Sequence, residues 1–264
     1  MIERDIAARR PVELLAALLD HAEPLWRPDE LPPLAHWLLF PPRERQSQLG
    51  ADGHPARKDD GLPRRMWAGS RVAFHAPVPL GVEVVRETSE LRRVDKTGRS
   101  GRMQFVTLQH RISVGGRLAI EEEQDLVYRE AARPGVSAAA PPPETPATRP
   151  SLVREVRAGP VQLFRFSALT YNSHRIHYDR EFAASVEGYP GLVVHGPLMA
   201  TLLMDLFLQR NAGADLANFA FRALRPVFDI DPFTLGLEPT ASGADLVVID
   251  RQGGAALQAA VVRR

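Results

Sequence analysis

The sequence predicts an α+β fold in two similar halves, and three observations carry that reading. Runs rich in Val, Ile, Phe, Thr and Tyr, bounded by turn residues, fill the later part of each half. A long apolar stretch, about Pro197 to Gln209, precedes the strands of the second half and reads as a buried helix. Between the halves lies 131–150, with six prolines and six alanines in twenty residues and almost no large apolar side chain. Such a segment cannot build a core and reads as an extended linker. The expected units are 1–130, 131–150 and 151–264.

In the first half, Val12, Leu14, Leu15, Leu18 and Leu19 recur at helical spacing after Pro11, a good first-turn residue. Leu34 to Phe40, between Pro32–Pro33 and Pro41–Pro42, reads as a short bounded helix. From Arg71 onward, RVAFHAPV, VEVVRETSELRRV, MQFVTLQHRISV and LAIEEEQDLVYRE read as a meander of strands. Turn signals at Pro79–Gly81, Thr97–Gly101 and Gly115–Gly116 separate them. Val106, Leu108 and Ile112 alternate with polar neighbours, as a half-buried antiparallel strand requires.

In the second half VQLFRFSAL reads as a strand and YNSHRIHYD as a polar loop. The long helix starts just after His195–Gly196 and buries Leu198, Leu202, Leu203 and Leu206. NFAFRALRPVF, FTLGLEPTA, DLVVID and AALQAAVV follow as strands. Helix and then curled antiparallel strands, twice over, is the arrangement of a double hot-dog: two antiparallel sheets, each wrapped round a long helix, set side by side.

Composition narrows the function. Hydrophobic residues make up 44% and charged residues 25%, and the formal net charge is +1. That balance argues against nucleic acid or an anionic membrane as a partner. Only Lys58 and Lys96 are lysines, so 31 of the 33 basic residues are arginines, whose planar forks suit phosphate and carboxylate. No cysteine is present, which excludes disulfides, a thiolate nucleophile and Cys-ligated zinc. The opening MIERDIAARRPVELLAALL places acids before a short apolar run, the pattern of neither a signal peptide nor a membrane span. A soluble, cytoplasmic protein is expected.

The chemistry concentrates in Phe166 to Leu198. His174 and His177 sit three apart in a loop with Asn172, and His195–Gly196 open the helix about twenty residues on. Hydration of an unsaturated thioester needs a group that takes a proton from water, a proton for the α-carbon, and donors for the developing enolate oxygen. A histidine suits the proton work. A backbone N–H at a helix N-terminus suits the oxyanion, and glycine there lets a ligand approach the backbone.

FSALTYNSHRIHYDREFA followed by LVVHGPL resembles the signature of MaoC-like, (R)-specific enoyl-CoA hydratases. The resemblance places His177 on the family's catalytic histidine, Asn172 on its catalytic aspartate, His174 on its asparagine and Arg175 on its proline. It implies that Gly196 holds the thioester carbonyl through its backbone. LPPLAHWLLF, RQSQLGADGHP, PRRMWAG, EEEQDLVYRE and FRALRPVFD are further similar to the two-domain hydratases of mesaconyl-C4-CoA or itaconyl-CoA, and to the 3-hydroxyacyl-thioester dehydratases. This implies a five-carbon dicarboxylic acyl-CoA as substrate, with coenzyme A present only as part of it. An amide at 172 cannot take a proton as a carboxylate can. Asn172 then orients water, His177 serves as both base and acid, and His174 is a candidate helper.

Other roles remain open at this level. Tyr171, Arg175, Arg64, Arg65, Arg222, Arg225 and His195 are candidate substrate contacts, the arginines for phosphates or a distal carboxylate. Asp179 reads as a structural acid holding the loop, while Glu121–Glu123 and Asp59–Asp60 read as solvated charge. His174, His177 and His195 could instead ligate a metal, but no carboxylate completes a helical ligand signature, and no metal or redox cofactor is expected. The rival functions are an acyl-CoA thioesterase and a non-catalytic acyl-CoA-binding module. The first half has no comparable His-bearing loop, so one active site per chain is expected, with the first half shaping the acyl pocket. A homodimer is a further expectation.

Overall fold

A computed structural model of the chain describes residues 1–56, 61–98, 101–131, 144–146 and 149–264. Most of the expected linker, together with Asp59–Asp60, lies outside the described residues. The first half contains β1 (Ile2–Ile6), α1 (Arg9–Leu18), β2 (Arg64–Phe74), β3 (Glu83–Gly98), β4 (Gly101–Val114) and β5 (Arg117–Arg129). The second contains β6 (Leu152–Val156), α2 (Pro160–Leu169), α3 (Arg180–Ser185), α4 (Gly196–Leu208), β7 (Leu216–Ala223), β8 (Phe233–Thr240), β9 (Gly243–Ile249) and β10 (Ala255–Arg263).

All ten strands join one antiparallel sheet in the order β1-β3-β4-β5-β2-β7-β10-β9-β8-β6. Read outward from the β2–β7 junction, the two sides carry the same sequence of strands, so the halves share one topology although no residue-level repeat is visible. At the junction Gly69 pairs with Arg222 and Ser70 with Phe221. A Cβ on Gly69 would stand 2.5 Å from the Phe221 carbonyl oxygen, so this close backbone approach requires glycine.

The second half wraps round α4, whose residues from Leu198 to Leu208 are all buried. The helix is apolar on every face because sheet and loops cover it on every side. One charge interrupts it. The buried carboxylate of Asp205 meets His21 at 2.5 Å and Arg154 at 3.0 Å, tying the end of α4 to both halves.

Four expectations need correction. VQLFRFSAL is the helix α2, not a strand: Pro160 occupies its first turn, and buried Leu163, Phe166 and Ser167 fall on one helical face. Their neighbours Val161 and Phe164 are exposed, which makes the stretch look uniformly apolar in sequence. Leu34 to Phe40 tightens into a 3-10 turn at Ala35–Leu38, with positive φ at both Leu34 and Phe40. The first half therefore has no counterpart of α4 among the described residues; turns and loops occupy that space. Finally, Glu122 is not solvated but 3% exposed, accepting hydrogen bonds from Trp37 and paired with His36 at 3.1 Å. Strands β1 and β6 escaped the sequence reading, and β2 starts at Arg64 rather than Arg71.

Removing one member of a buried charge network leaves the others unpaired. Asp205→Ala is expected to lower unfolding stability by about 3 kcal/mol, measured by chemical denaturation, with Asp205→Asn intermediate.

Candidate active site

The segment after α2 turns sharply. Tyr171 adopts a positive φ of 51°, and the Asn172 N–H donates to the Ser167 carbonyl at 2.8 Å. The Asn172 side-chain oxygen accepts from the His174 N–H at 3.0 Å, an Asx turn that leaves the amide NH2 for other work. A 3-10 turn, Arg175–His177, follows and ends at Asp179. Asp179 is the structural acid expected: it caps α3 through the Phe182 N–H at 3.0 Å and holds Arg175 at 2.7 Å.

His177 is the best-defined group. Its Nδ1 lies 2.7 Å from the Val193 carbonyl oxygen. A carbonyl can only accept, so Nδ1 carries the proton and Nε2 keeps its lone pair. Val193 in turn donates its N–H to the Ile176 carbonyl at 2.9 Å, so the loop and the segment entering α4 grip each other twice. Burial pushes the His177 pKa down to about 4; the carbonyl opposes that shift and charge on His54 adds to it. At neutral pH the ring is an uncharged base.

His177 stacks on His195, centroids 3.6 Å apart and planes 18° off parallel. His195 is the N-cap of α4 and meets the Ser167 hydroxyl through Nε2 at 2.8 Å. The imidazole therefore lies beside the helix start, where Gly196 is the first helical residue and first-turn N–H groups lack helical partners. Burial, then charge on His177 and His174, holds His195 well below the usual histidine range, which suits a neutral orienting ring. Burial and the charges of His54 and His177 push His174 down in the same way. Among the described residues the donor atoms of His174, His177 and His195 form no close set.

All these groups line one cavity of about 1960 Å³ running between the halves. It exceeds the usual range for small-ligand sites, roughly 300–1,000 Å³, and its upper half borders the space left without a central helix in the first half. Trp37, Trp67 and Phe221 form an aromatic wall, with ring centroids 5.2 to 6.2 Å apart. Tyr171 stands on the rim, 66% exposed.

The arginines divide. Arg175 is not on the cavity wall; its guanidinium binds Asp179 and the Ala51 carbonyl and lies 4.3 Å from the Phe182 ring centroid, a structural role. Arg64 lines the cavity but is held by Glu187 at 2.6 Å and the Tyr189 hydroxyl at 2.7 Å. Arg225 is 9% exposed and turned to Asp250 at 2.8 Å. Of the arginines singled out in the sequence, Arg65 and Arg222 line the cavity with no ion pair among the described residues and so can meet an anionic substrate.

Sequence reasoning missed a contribution from the first half. Residues 49–56 fold over the catalytic loop, with Ser173 Oγ donating to the Gly53 carbonyl at 2.5 Å and the Arg175 N–H to the Asp52 carbonyl at 2.8 Å. Gly53 has a φ of 89°, and a Cβ there would collide with the Ser173 carbonyl at 1.9 Å. This contact places His54 on the cavity wall, its ring 4.0 Å from that of His174. Asp52 Oδ2 lies 3.0 Å from His54 Nδ1, and donor atoms of Asp52, His54 and His174 all lie within 4.8 Å of one another. The sequence signal was the Asp-Gly-His turn in RQSQLGADGHP.

A neutral, oriented base beside a helix start, in an acyl-sized cleft of a double hot-dog, defines the class: hydratases and dehydratases of acyl thioesters. Comparison with known proteins agrees. Residues 34–229 match the hydroxyacyl-thioester dehydratase type 2 family. The chain is 44% identical to the mesaconyl-C(4)-CoA hydratase of Chloroflexus aurantiacus, over 98% of this chain and 93% of that one. It is 25% identical to the mitochondrial hydroxyacyl-thioester dehydratase type 2 of Schizosaccharomyces pombe, over 92% and 91% of the two chains. The fold matches a MaoC-like dehydratase from Phytophthora capsici with a TM-score of 0.74, at 14% identity and covering 100% of this chain and 95% of that one. The chain belongs to the hydroxyacyl-thioester dehydratase type 2 family. It is a hydro-lyase.

Two outcomes test this geometry. Because His177 works unprotonated and burial holds its pKa near 4, kcat/KM in the hydration direction should stay level as pH falls through 6.5 and drop only near pH 4. Gly53→Ala should displace the 49–56 loop and cut kcat about tenfold or more, with little change in thermal midpoint.

Proposed function

We propose that the protein reversibly hydrates mesaconyl-C4-CoA or a close five-carbon dicarboxylic enoyl-CoA such as itaconyl-CoA. The observation that carries this reading is the neutral His177, pinned by Val193 and stacked beside the start of α4. In hydration, water bonds the β-carbon as its proton passes to His177 Nε2. The electron pair of the double bond shifts toward the thioester, whose oxygen is met by the Gly196 N–H and the helix dipole. The α-carbon then takes a proton. Asn172 offers its amide NH2 to position the water.

The 44% identity over nearly the whole chain supports the dicarboxylic substrate. Arg65 and Arg222, cations on the cavity wall, suit a distal carboxylate. Tyr171 and His195 bound the same cleft, the first at its rim and the second beneath the catalytic ring. The reaction as drawn uses no metal or redox cofactor, and coenzyme A enters only with the substrate. No helix among the described residues is long and apolar enough to cross a membrane. A cytoplasmic location and a homodimeric assembly complete the proposal; cell fractionation and sedimentation velocity test them.

The wild type should remove the enoyl absorbance of mesaconyl-C4-CoA faster than that of crotonyl-CoA, without releasing free thiol. Thiol release from a saturated acyl-CoA would instead mark a thioesterase, and tight binding without turnover a binding module. His177→Ala should lower kcat by about 10³-fold and Asn172→Ala by about tenfold, both read by the same absorbance assay. A fully active His177→Ala variant contradicts the proposal.

A further inference from the structure

Water addition moves two protons, yet the aligned loop supplies one suitable group. Asn172 cannot exchange a proton, and His195 is sealed against Ser167 and the His177 ring. Burial and the surrounding charges disfavour the imidazolium form of His174, so it is a poor proton donor. The cavity wall holds three more imidazoles, all from the other half of the molecule. His36 is committed to Glu122 and His110 to Thr88 and Gln124, and of the three only His54 packs against the ring of His174 among the described residues.

We propose that His54, oriented by Asp52, is the second proton-transfer group of the reaction and takes the place of the carboxylate missing at position 172. Three observations on geometry carry this. His54 lines the same cavity as His177. Its Nδ1 is engaged by Asp52 Oδ2 at 3.0 Å, and its backbone N–H also donates to Asp52 at 3.1 Å, while Nε2 has no hydrogen-bond partner among the described residues. The loop that bears it is locked onto the catalytic loop by the Gly53–Ser173 and Asp52–Arg175 contacts, so its position relative to His177 is fixed.

The dyad also gives the two rings opposite tasks. His177 faces a carbonyl and works as the neutral base; His54 faces the Asp52 carboxylate, which accepts from Nδ1 and fixes the ring's orientation. Burial opposes ionisation of Asp52, but hydrogen bonds and charge from His54 prevail and hold that carboxyl below its usual range. Charge on His54 is in turn among the causes that depress His174 and His177. In hydration the water proton goes to His177 Nε2 as oxygen bonds the β-carbon. The double-bond pair becomes the enolate, and the α-carbon takes the Nε2 proton of His54. Ring 177 ends protonated and ring 54 neutral, and the proton passes back from one to the other, with His174 packed against both at centroid distances of 5.4 and 4.0 Å. Nothing else is consumed.

The close set of Asp52, His54 and His174 also has the makings of a cation site, and the experiment separates the two. This inference rests on the hydratase reading above, so wild type and His177→Ala are assayed in the same series, across crotonyl-, mesaconyl- and itaconyl-CoA. His54→Gln should lower hydration kcat by about 10²-fold while KM moves less than threefold. Asp52→Asn should lower kcat by about tenfold, with Asp52→Glu retaining more activity than Asp52→Asn. Thermal midpoints identify folded variants, and the two Asp52 variants stand in should His54→Gln unfold. Wild-type kcat in folded His54→Gln, or a stoichiometric metal lost on that substitution, would overturn the dyad alone. A wild type inactive on every enoyl-CoA would overturn the hydratase reading and this inference with it.

Discussion

A single hydrogen bond, from His177 Nδ1 to the Val193 carbonyl, decides what the active site can do. It selects the tautomer, aims Nε2 at the cavity and joins the catalytic loop to the strand-like segment that feeds α4. Several contacts exist to keep that carbonyl in place. The Val193 N–H returns to Ile176, Val194 donates to Val227, and Leu192 exchanges hydrogen bonds with Asp229. Asp229 is itself held by Arg180 from α3. The stacked His195 then prevents the ring from tilting away. Loss of any one of these loosens the base before it unfolds the domain, because each is a local tie on an otherwise packed core.

The double hot-dog supplies the rest by topology. Joining two five-stranded halves at β2 and β7 creates one sheet whose concave side must be filled. In the second half α4 fills it. In the first half no such helix is present among the described residues, and a cavity of about 1960 Å³ lies between the halves. The same asymmetry frees residues 49–56 to cross over and touch the catalytic loop. One half thus furnishes the base, the oxyanion donors and the wall aromatic Phe221, while the other furnishes Trp37, Trp67, Arg65 and the Asp52–His54 pair.

Much of this was legible in the residues, and the limits have physical causes. The long helix, the meander strands and the histidine loop announce themselves through local pattern, and the structure places all three as read. Helix α2 was mistaken for a strand because two exposed apolar side chains, Val161 and Phe164, blurred its helical stripe. The short edge strands β1 and β6 carry too few residues for a periodic signal. Glu122 looked solvated because nothing local reveals that His36 and Trp37, more than eighty positions away, would bury and satisfy it. Among the candidate arginines, Arg175, Arg64 and Arg225 were lost to ion pairs that only the fold creates, while Arg65 and Arg222 kept their freedom. His54 carried the same limitation in reverse: its value comes from a contact across the two halves that no spacing rule predicts.

The state of one ring tests the account most directly. Nitrogen-15 NMR of histidine-labelled protein at pH 7, with His177 assigned by substitution, should show a neutral imidazole protonated at Nδ1 and bare at Nε2. That signal should persist down to about pH 5, above the pKa near 4 that burial imposes. A ring protonated at Nε2, or an imidazolium at neutral pH, would mean that Val193 does not set the base, and the mechanism built on it would fail.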